Sequence, residues 1–187
     1  MAEFVKIGLV GAGSTGKTTL IEMLSEKMGD EVEVVPEAAR DYFSSHPGIS
    51  DRFGFAAQAA IQDMVVMRER AAQAQARILG RGIIVCDRTV LDAAVYVHSA
   101  SDEPGAQTLL NRARPFLDYN RLYLLNPSGV PYEDDNVRDE GIDTRMAIHE
   151  SYLRFLGLNK IPYTLLSGDR EQRYSDVAGY ALEQTAA

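Results

Sequence analysis

Gly11-Ala12-Gly13-Ser14-Thr15-Gly16-Lys17-Thr18, followed by Thr19, matches G-x-x-x-x-G-K-[ST] at every fixed position. Glycines let a backbone curl until successive N–H groups point inward, and a helix starting at Gly16 would add its positive dipole end. Such a loop holds a triphosphate. Lys17 would reach the β and γ phosphates, and the Thr18 hydroxyl would ligate Mg²⁺. The second anchor is Asp87, which closes the apolar run GIIVCD. A carboxylate where a buried strand emerges beside the phosphate loop can bind the same Mg²⁺, directly or through water. Asp87 can also be read as the N-cap of a helix over RTVLDAAVY, and one residue can do both.

Placing these groups requires strands and crossovers. Five short apolar runs read as buried parallel strands: 4–10, 32–35, 82–86, 121–125 and 162–166. The intervals between them are long enough for helices, so an α/β sheet covered on both faces is expected, in strand order 2-3-1-4-5, with the site at the strands' carboxyl ends. Between the second and third strands, Ala56, Ala60, Met64, Met67, Ala71, Ala74 and Ile78 recur every three or four residues and mark one face of a long helix. Other helices are expected from Gly16 and near Thr89, Pro104, Ile142 and Arg170. The segment 126–143, with two prolines, two glycines and a run of acidic residues, reads as a functional or mobile loop.

With 187 residues, 45% hydrophobic and 25% charged, the chain is expected to fold as one domain over 1–187 without disulfides. Cys86, inside an apolar run, reads as a buried thiol. The net charge of −8 argues against a general attraction to nucleic acid, though a local basic groove could persist. No apolar run reaches membrane-spanning length. The opening MAEFVKIGLV lacks the features of a secretory signal, so a cytoplasmic location is expected.

The segments GAGSTGKTTL, VVPEAARDYF, CDRTVLDAAVY, DDNVRDEGIDTR and IPYTLLSGD resemble, in order and approximate spacing, the ribosylnicotinamide-kinase-like branch of P-loop ATPases. That branch is itself similar to deoxynucleoside kinases, nucleoside-monophosphate kinases and polynucleotide 5′-hydroxyl kinases. The resemblance implies ATP as phosphoryl donor, Mg²⁺, and a nucleoside, nucleotide or related small molecule as acceptor. Glu37 takes the position of the carboxylate that faces the acceptor hydroxyl, with Asp41 as the fallback. Arg40 would share a face with Glu37 if the segment is helical. Arg88, in Asp87-Arg88-Thr89, resembles the arginine that contacts the acceptor or the moving phosphate. Arg138 and Arg145 flank DEGIDT in what looks like a lid, approximately 127–145. The turn with Gly168, Asp169 and Arg170 looks like the one that lies against adenine, with Arg170 stacking there, although Asp169 could also serve as a helix N-cap. Phe53, Phe55, Gln58 and Gln62 offer ring faces and amides suited to a base.

Other readings carry weaker support. A guanine-reading Asn/Lys/Asp loop is missing from LLNPSGVPY after the fourth strand, and a ring ATPase would need a helical lid for which the length leaves little room. A kinase acting on a DNA or RNA 5′ end or a modified base in DNA, and a regulatory module that only hydrolyses ATP, remain the alternatives.

Overall fold

The computed structural model describes residues 4–131 and 141–186. Five parallel strands, β1 (Val5–Val10), β2 (Val32–Val35), β3 (Ile83–Asp87), β4 (Arg121–Leu125) and β5 (Thr164–Leu166), form one sheet in order 2-3-1-4-5, as the pattern predicts. The helices are α1 (Lys17–Met28), α2 (Ala38–Ser45), α3 (Phe55–Leu79), α4 (Asp92–Ser99), α5 (Glu103–Ala113), α6 (Gly141–Leu158) and α7 (Arg170–Thr185).

Period-two alternation sorts the strand residues between two layers. Val5, Ile7 and Leu9 of β1, Ile83 and Val85 of β3, and Tyr123 and Leu125 of β4 pack with Leu20, Leu24 and Val177 of α1 and α7. On the other face, Val10, Leu122 and Leu124 pack against α2 to α6, while Ile84 and Cys86 meet Ala72 and Ala76 of α3. Cys86 is fully buried, and burial pushes its thiol well above the ordinary range, as befits an inert core group.

Several boundaries shift for local reasons. β1 begins at Val5. β3 runs one residue further than expected and takes in Asp87, which stands level with Leu9 of β1. β5 shortens to Thr164–Leu166: it is an edge strand paired only with β4, and Pro162 has no N–H for a ladder. α4 starts at Asp92 because Thr89–Leu91 form a turn in which the Asp92 carboxylate accepts from Thr89 N at 2.7 Å. Asp87 therefore caps no helix.

The long helix buries a different face from the one its apolar pattern marks. Met67 and Ile78 are exposed, and the buried row is Ala57, Gln58, Ile61, Gln62, Val65, Glu69, Ala72 and Ala76. Polar residues interrupt that row: Gln58 Nε2 donates to the nearby Arg52 carbonyl (2.6 Å), while Gln62 and Glu69 have distant partners. Gln62 Nε2 donates to the carbonyls of Val90 (2.9 Å) and Leu109 (3.0 Å). Glu69 accepts from Lys6 Nζ at 2.7 Å and from the Tyr119 hydroxyl. Lys6 also reaches Asp118 at 2.5 Å and lies 4.3 Å from the Tyr119 ring centroid. Burial alone would lower the Lys6 pKa, but these carboxylates outweigh it and hold the amine above its usual value. Tyr119 in turn accepts from Val90 N, so this buried polar group pins the turn that follows Arg88.

Candidate active site

β1 ends at Val10, and the chain then passes through Gly11 (φ 139°), Ser14 (φ 51°) and Gly16 (φ 85°) before α1 begins. These left-handed positions curl the loop; a Cβ at Gly11 would also approach the Leu125 carbonyl to 3.3 Å. Lys17 is nearly buried at the loop's centre, its ammonium donating to the carbonyls of Gly11 (3.0 Å) and Ala12 (2.7 Å) and to Thr15 Oγ1 (3.3 Å). Thr18 and Thr19 are exposed on the cleft side. The cleft of about 240 Å³ above them is lined by Ser14 to Thr19 together with Glu37, Arg40, Asp87, Val130 and Pro131.

Thr18 Oγ1 donates to Asp87 Oδ2 at 3.1 Å, while buried Asp87 Oδ1 has no hydrogen-bond partner among the described residues. Burial raises the Asp87 pKa, against the pull of Lys17 and Arg88. A hard dication would relieve that desolvation, and one hydroxyl plus one carboxylate suits Mg²⁺, which fills its remaining positions with phosphate oxygens and water. The two residues fit the ion.

Glu37 immediately precedes α2 rather than lying within it, so the expected shared helical face with Arg40 does not arise in that form. The two still meet at 4.0 Å. Arg68 fixes the backbone there, donating to the carbonyls of Pro36 and Glu37, and also binds Asp41 at 2.6 Å. Asp41, the fallback carboxylate, is thus an exposed surface partner. Glu37 Oε1 accepts from Arg88 Nε at 2.5 Å. Arg88 is itself strained at φ 70°, a conformation an unbranched non-glycine residue holds only when its surroundings impose it. Asp92 supplies that constraint: Oδ2 accepts from Thr89 N and Oγ1, and Oδ1 accepts from Arg88 Nη1 (3.3 Å) and the Tyr152 hydroxyl (2.5 Å). Asp92 and Tyr152 have no motif signature, and their roles emerge only from packing of α4 against α6.

Tyr152→Phe removes one of the four donors to a buried carboxylate, which should cost about 1–3 kcal/mol of stability. Because Asp92 also steadies Arg88, acceptor turnover should fall more than ATP affinity does. Urea melts beside single-turnover kinetics check this; a shifted melt with unchanged turnover would make the bond purely structural.

A second cavity lies behind Arg88, lined by Ala38, Phe43, Arg52, Phe53, Gln58, Ile61, Gln62, Asp92 and Tyr96 among others. Its free volume is about 30 Å³, room for a water or two. Gln58 and Gln62 both reach it, as the sequence suggests. Phe55 does not. It lies on the surface at the start of α3, in a shallow depression with Tyr42 and residues 48–51, whereas Phe53 lines the cavity and stacks on Tyr96 at 5.4 Å.

Two further arginines are placed differently from expectation. Arg170 is exposed at the first position of α7, where Asp169 acts as N-cap by accepting from Gln172 N. The basic side chain that reaches the phosphate loop is Arg173, which donates to the carbonyls of Thr15 (2.7 Å), Asn126 (2.8 Å) and Gly168 (3.0 Å) and braces the loop from behind. Burial lowers its pKa, with neighbouring Arg145 adding to the effect. Arg145 is buried and donates through Nη2 to the carbonyls of Pro127 (2.6 Å) and Val130 (3.0 Å), holding the chain that leaves β4. Arg138 lies outside the described residues, as does most of the expected lid. No helix among the described residues is long and apolar enough to cross a membrane.

A glycine-rich loop between β1 and α1, a carboxylate at the tip of the adjacent β3 and the 2-3-1-4-5 order define a P-loop fold. An AAA domain family model matches residues 6–173, and the chain belongs to that family. Among solved structures, the chain is similar to a NadR protein in complex with NR, with a TM-score of 0.75 and 18% identity over 98% of this chain and 51% of that one. It thus spans about half the length of that protein. A NadR protein in complex with NAD and AMP-PNP superposes with a TM-score of 0.67 at 18% identity, covering 98% of this chain and 50% of the other. Deoxyadenosine kinase from M. mycoides, with dCMP and dCDP bound, gives a TM-score of 0.64 at 17% identity, covering 96% of this chain and 100% of that one. A search of curated proteins returns no match.

Proposed function

We propose that the protein transfers the γ-phosphoryl group of ATP to a hydroxyl or phosphate of a nucleoside, nucleotide or related small molecule. The observation that carries this reading is the position of Glu37. Its carboxylate lines the phosphate cleft with Lys17, Thr18 and Asp87, while Ala38 and Arg88 beside it line the second cavity. A donor in one space and an acceptor in the other would meet at Glu37.

Loop amides and Lys17 hold the β and γ phosphates, and Arg173 keeps the loop in shape from behind. Thr18 and Asp87 would hold Mg²⁺, which would supply positive charge to offset that of the phosphates. Glu37 orients the acceptor hydroxyl and takes its proton as the acceptor oxygen bonds to the γ phosphorus and the bond to the β-phosphate oxygen breaks, releasing ADP. Arg88 leaves Glu37 and follows the moving group, where its charge offsets the developing negative charge. Burial alone would lower the Arg88 pKa, but Tyr96, Glu37, Tyr152 and Asp92 beside it outweigh that and hold the guanidinium well above its ordinary value, so it stays protonated. Arg138 and Arg145 belong to the proposed lid. Arg145 would reach the phosphates only by giving up its bonds to the Pro127 and Val130 carbonyls. Closure of this segment would also exclude water, the competing acceptor.

The NadR and deoxyadenosine kinase structures, bound respectively to NR and to deoxynucleotides, support a small acceptor. The test is a transfer screen with γ-labelled ATP and Mg²⁺ against nucleosides, nucleoside monophosphates, nicotinamide riboside and DNA or RNA ends. Label on a small nucleoside or nucleotide is the expected result. Label only on nucleic-acid ends, or only as free phosphate, would overturn the reading.

A further inference from the structure

Arg88, left-handed at φ 70°, stands directly before the turn 89–91, and side chains from distant parts of the chain hold that turn. Val90 is the clearest case. Its N–H donates to the Tyr119 hydroxyl at 3.2 Å, and its carbonyl accepts from Gln62 Nε2 at 2.9 Å. Tyr119 has one hydroxyl proton and gives it to Glu69, so its oxygen meets Val90 as an acceptor. Burial, with the Glu69 charge adding to it, pushes the Tyr119 pKa well above its ordinary value, and the hydroxyl keeps that proton. Glu69 is fixed in turn by Lys6 at 2.7 Å. The turn also sits close on β1, where a Cβ at Gly8 would meet Thr89 Cγ2 at 2.6 Å and Tyr119 Cδ1 at 3.2 Å. Gly8 leaves the room that both side chains fill.

We propose that Tyr119 is a positioning residue for phosphoryl transfer: through Val90 its hydroxyl fixes the turn that aims Arg88 at Glu37. A left-handed arginine lies outside the broad backbone basins, so its turn relaxes toward them when a restraint is removed. Reversing φ redirects Cβ, and the guanidinium then leaves the place where Nε meets Glu37 Oε1 at 2.5 Å. Asp92 restrains Thr89 and the Arg88 side chain from α4, while Tyr119 and Gln62 restrain Val90 from the segment before β4 and from α3. The amides and lysine that would grip ATP belong to the loop after β1. Loss of the Tyr119 hydroxyl therefore reaches the reaction through Arg88 and leaves donor affinity near normal. The catalytic consequence rests on the phosphotransfer reading; the positioning of Arg88 does not.

The experiment compares wild type, Tyr119→Phe and Glu69→Gln. Tyr119→Phe deletes the acceptor of the Val90 N–H, whereas Glu69→Gln keeps an oxygen for the Tyr119 proton and discharges the buried pair with Lys6, lowering stability without freeing the turn. The first readout is hydrogen exchange at the Arg88 Nε–H, assigned by the loss of its NMR signal in Arg88→Lys. Tyr119→Phe should speed this exchange by about tenfold or more, and Glu69→Gln should leave it within about threefold of wild type. The second readout is transfer from ATP: Tyr119→Phe should lower kcat by about 10- to 100-fold at near-normal ATP affinity, while Glu69→Gln melts earlier in urea and keeps most of its turnover. In the wild type itself, the Val90 amide and the Arg88 Nε–H should exchange through a common opening with the same urea dependence, a measurement that needs no variant to fold. Separate openings overturn the inference, as does unchanged Arg88 exchange in folded Tyr119→Phe. Turnover that tracks the stability loss in both variants, or that stays at the wild-type level while exchange rises, also overturns it. Faster exchange in Tyr119→Phe with no transfer by the wild type to any acceptor would sink the phosphotransfer reading and leave the positioning standing.

Discussion

Replacement of Lys17 by alanine should abolish phosphoryl transfer, lowering kcat by at least about 10³-fold, because little else in the loop offers a mobile positive charge to the γ phosphate as it moves. The fold should survive. Gly11 and Gly16 keep their left-handed conformations without the lysine, and Arg173 still grips the Thr15 carbonyl. The ammonium donates to two loop carbonyls and the Thr15 hydroxyl, so its loss loosens the loop locally and should also weaken ATP binding. Rapid-quench transfer assays and a thermal melt separate the two effects. Turnover within tenfold of wild type in a folded variant would exclude the loop from catalysis.

The second large effect is expected at Glu37. Glu37→Gln keeps the shape and removes the base, so acceptor phosphorylation should slow by about 10²-fold or more while ATP affinity stays near normal. The variant also takes a negative charge away from buried Arg88, which retains Asp92 at 3.3 Å. Breaking a buried pair on one side costs about 3–5 kcal/mol where nothing compensates, and the second carboxylate should hold the loss below that range. A urea melt therefore belongs beside the kinetics. A large stability loss with unchanged turnover per folded molecule would mean that Glu37 only neutralises Arg88, and the proposed base would be lost.

The two variants probe opposite sides of one geometry. Lys17 belongs to a loop whose curl is local, whereas Glu37 depends on Arg68, Arg88, Asp92 and Tyr152, drawn from α3, the β3–α4 turn, α4 and α6. The Glu37 side of the cleft is thus assembled from the packing of several helices, and substitutions far from the cleft should be felt there first.

This difference also separates what was legible in the amino-acid sequence from what was not. The phosphate loop, the apolar strand runs and the Asp169 cap could all be read directly. Each depends on neighbours along the chain: glycine conformations, period-two apolar runs, or a side chain bonding an amide three residues away. Position 37 was legible through resemblance, but its place just before α2 was not. The buried face of α3 misled because Gln62 and Glu69 look like surface residues until Val90, Leu109 and Lys6 arrive from elsewhere. Arg170 and Arg173 look equally suitable in sequence; one turn of α7 decides that Arg173 meets the carbonyls of Thr15 and Asn126. A buried polar group is stable only when paired, and its partner is set by which elements pack together. Local backbone chemistry thus determined the grip on phosphate, while tertiary packing alone decided which charged side chains face the cleft and which hold it in shape.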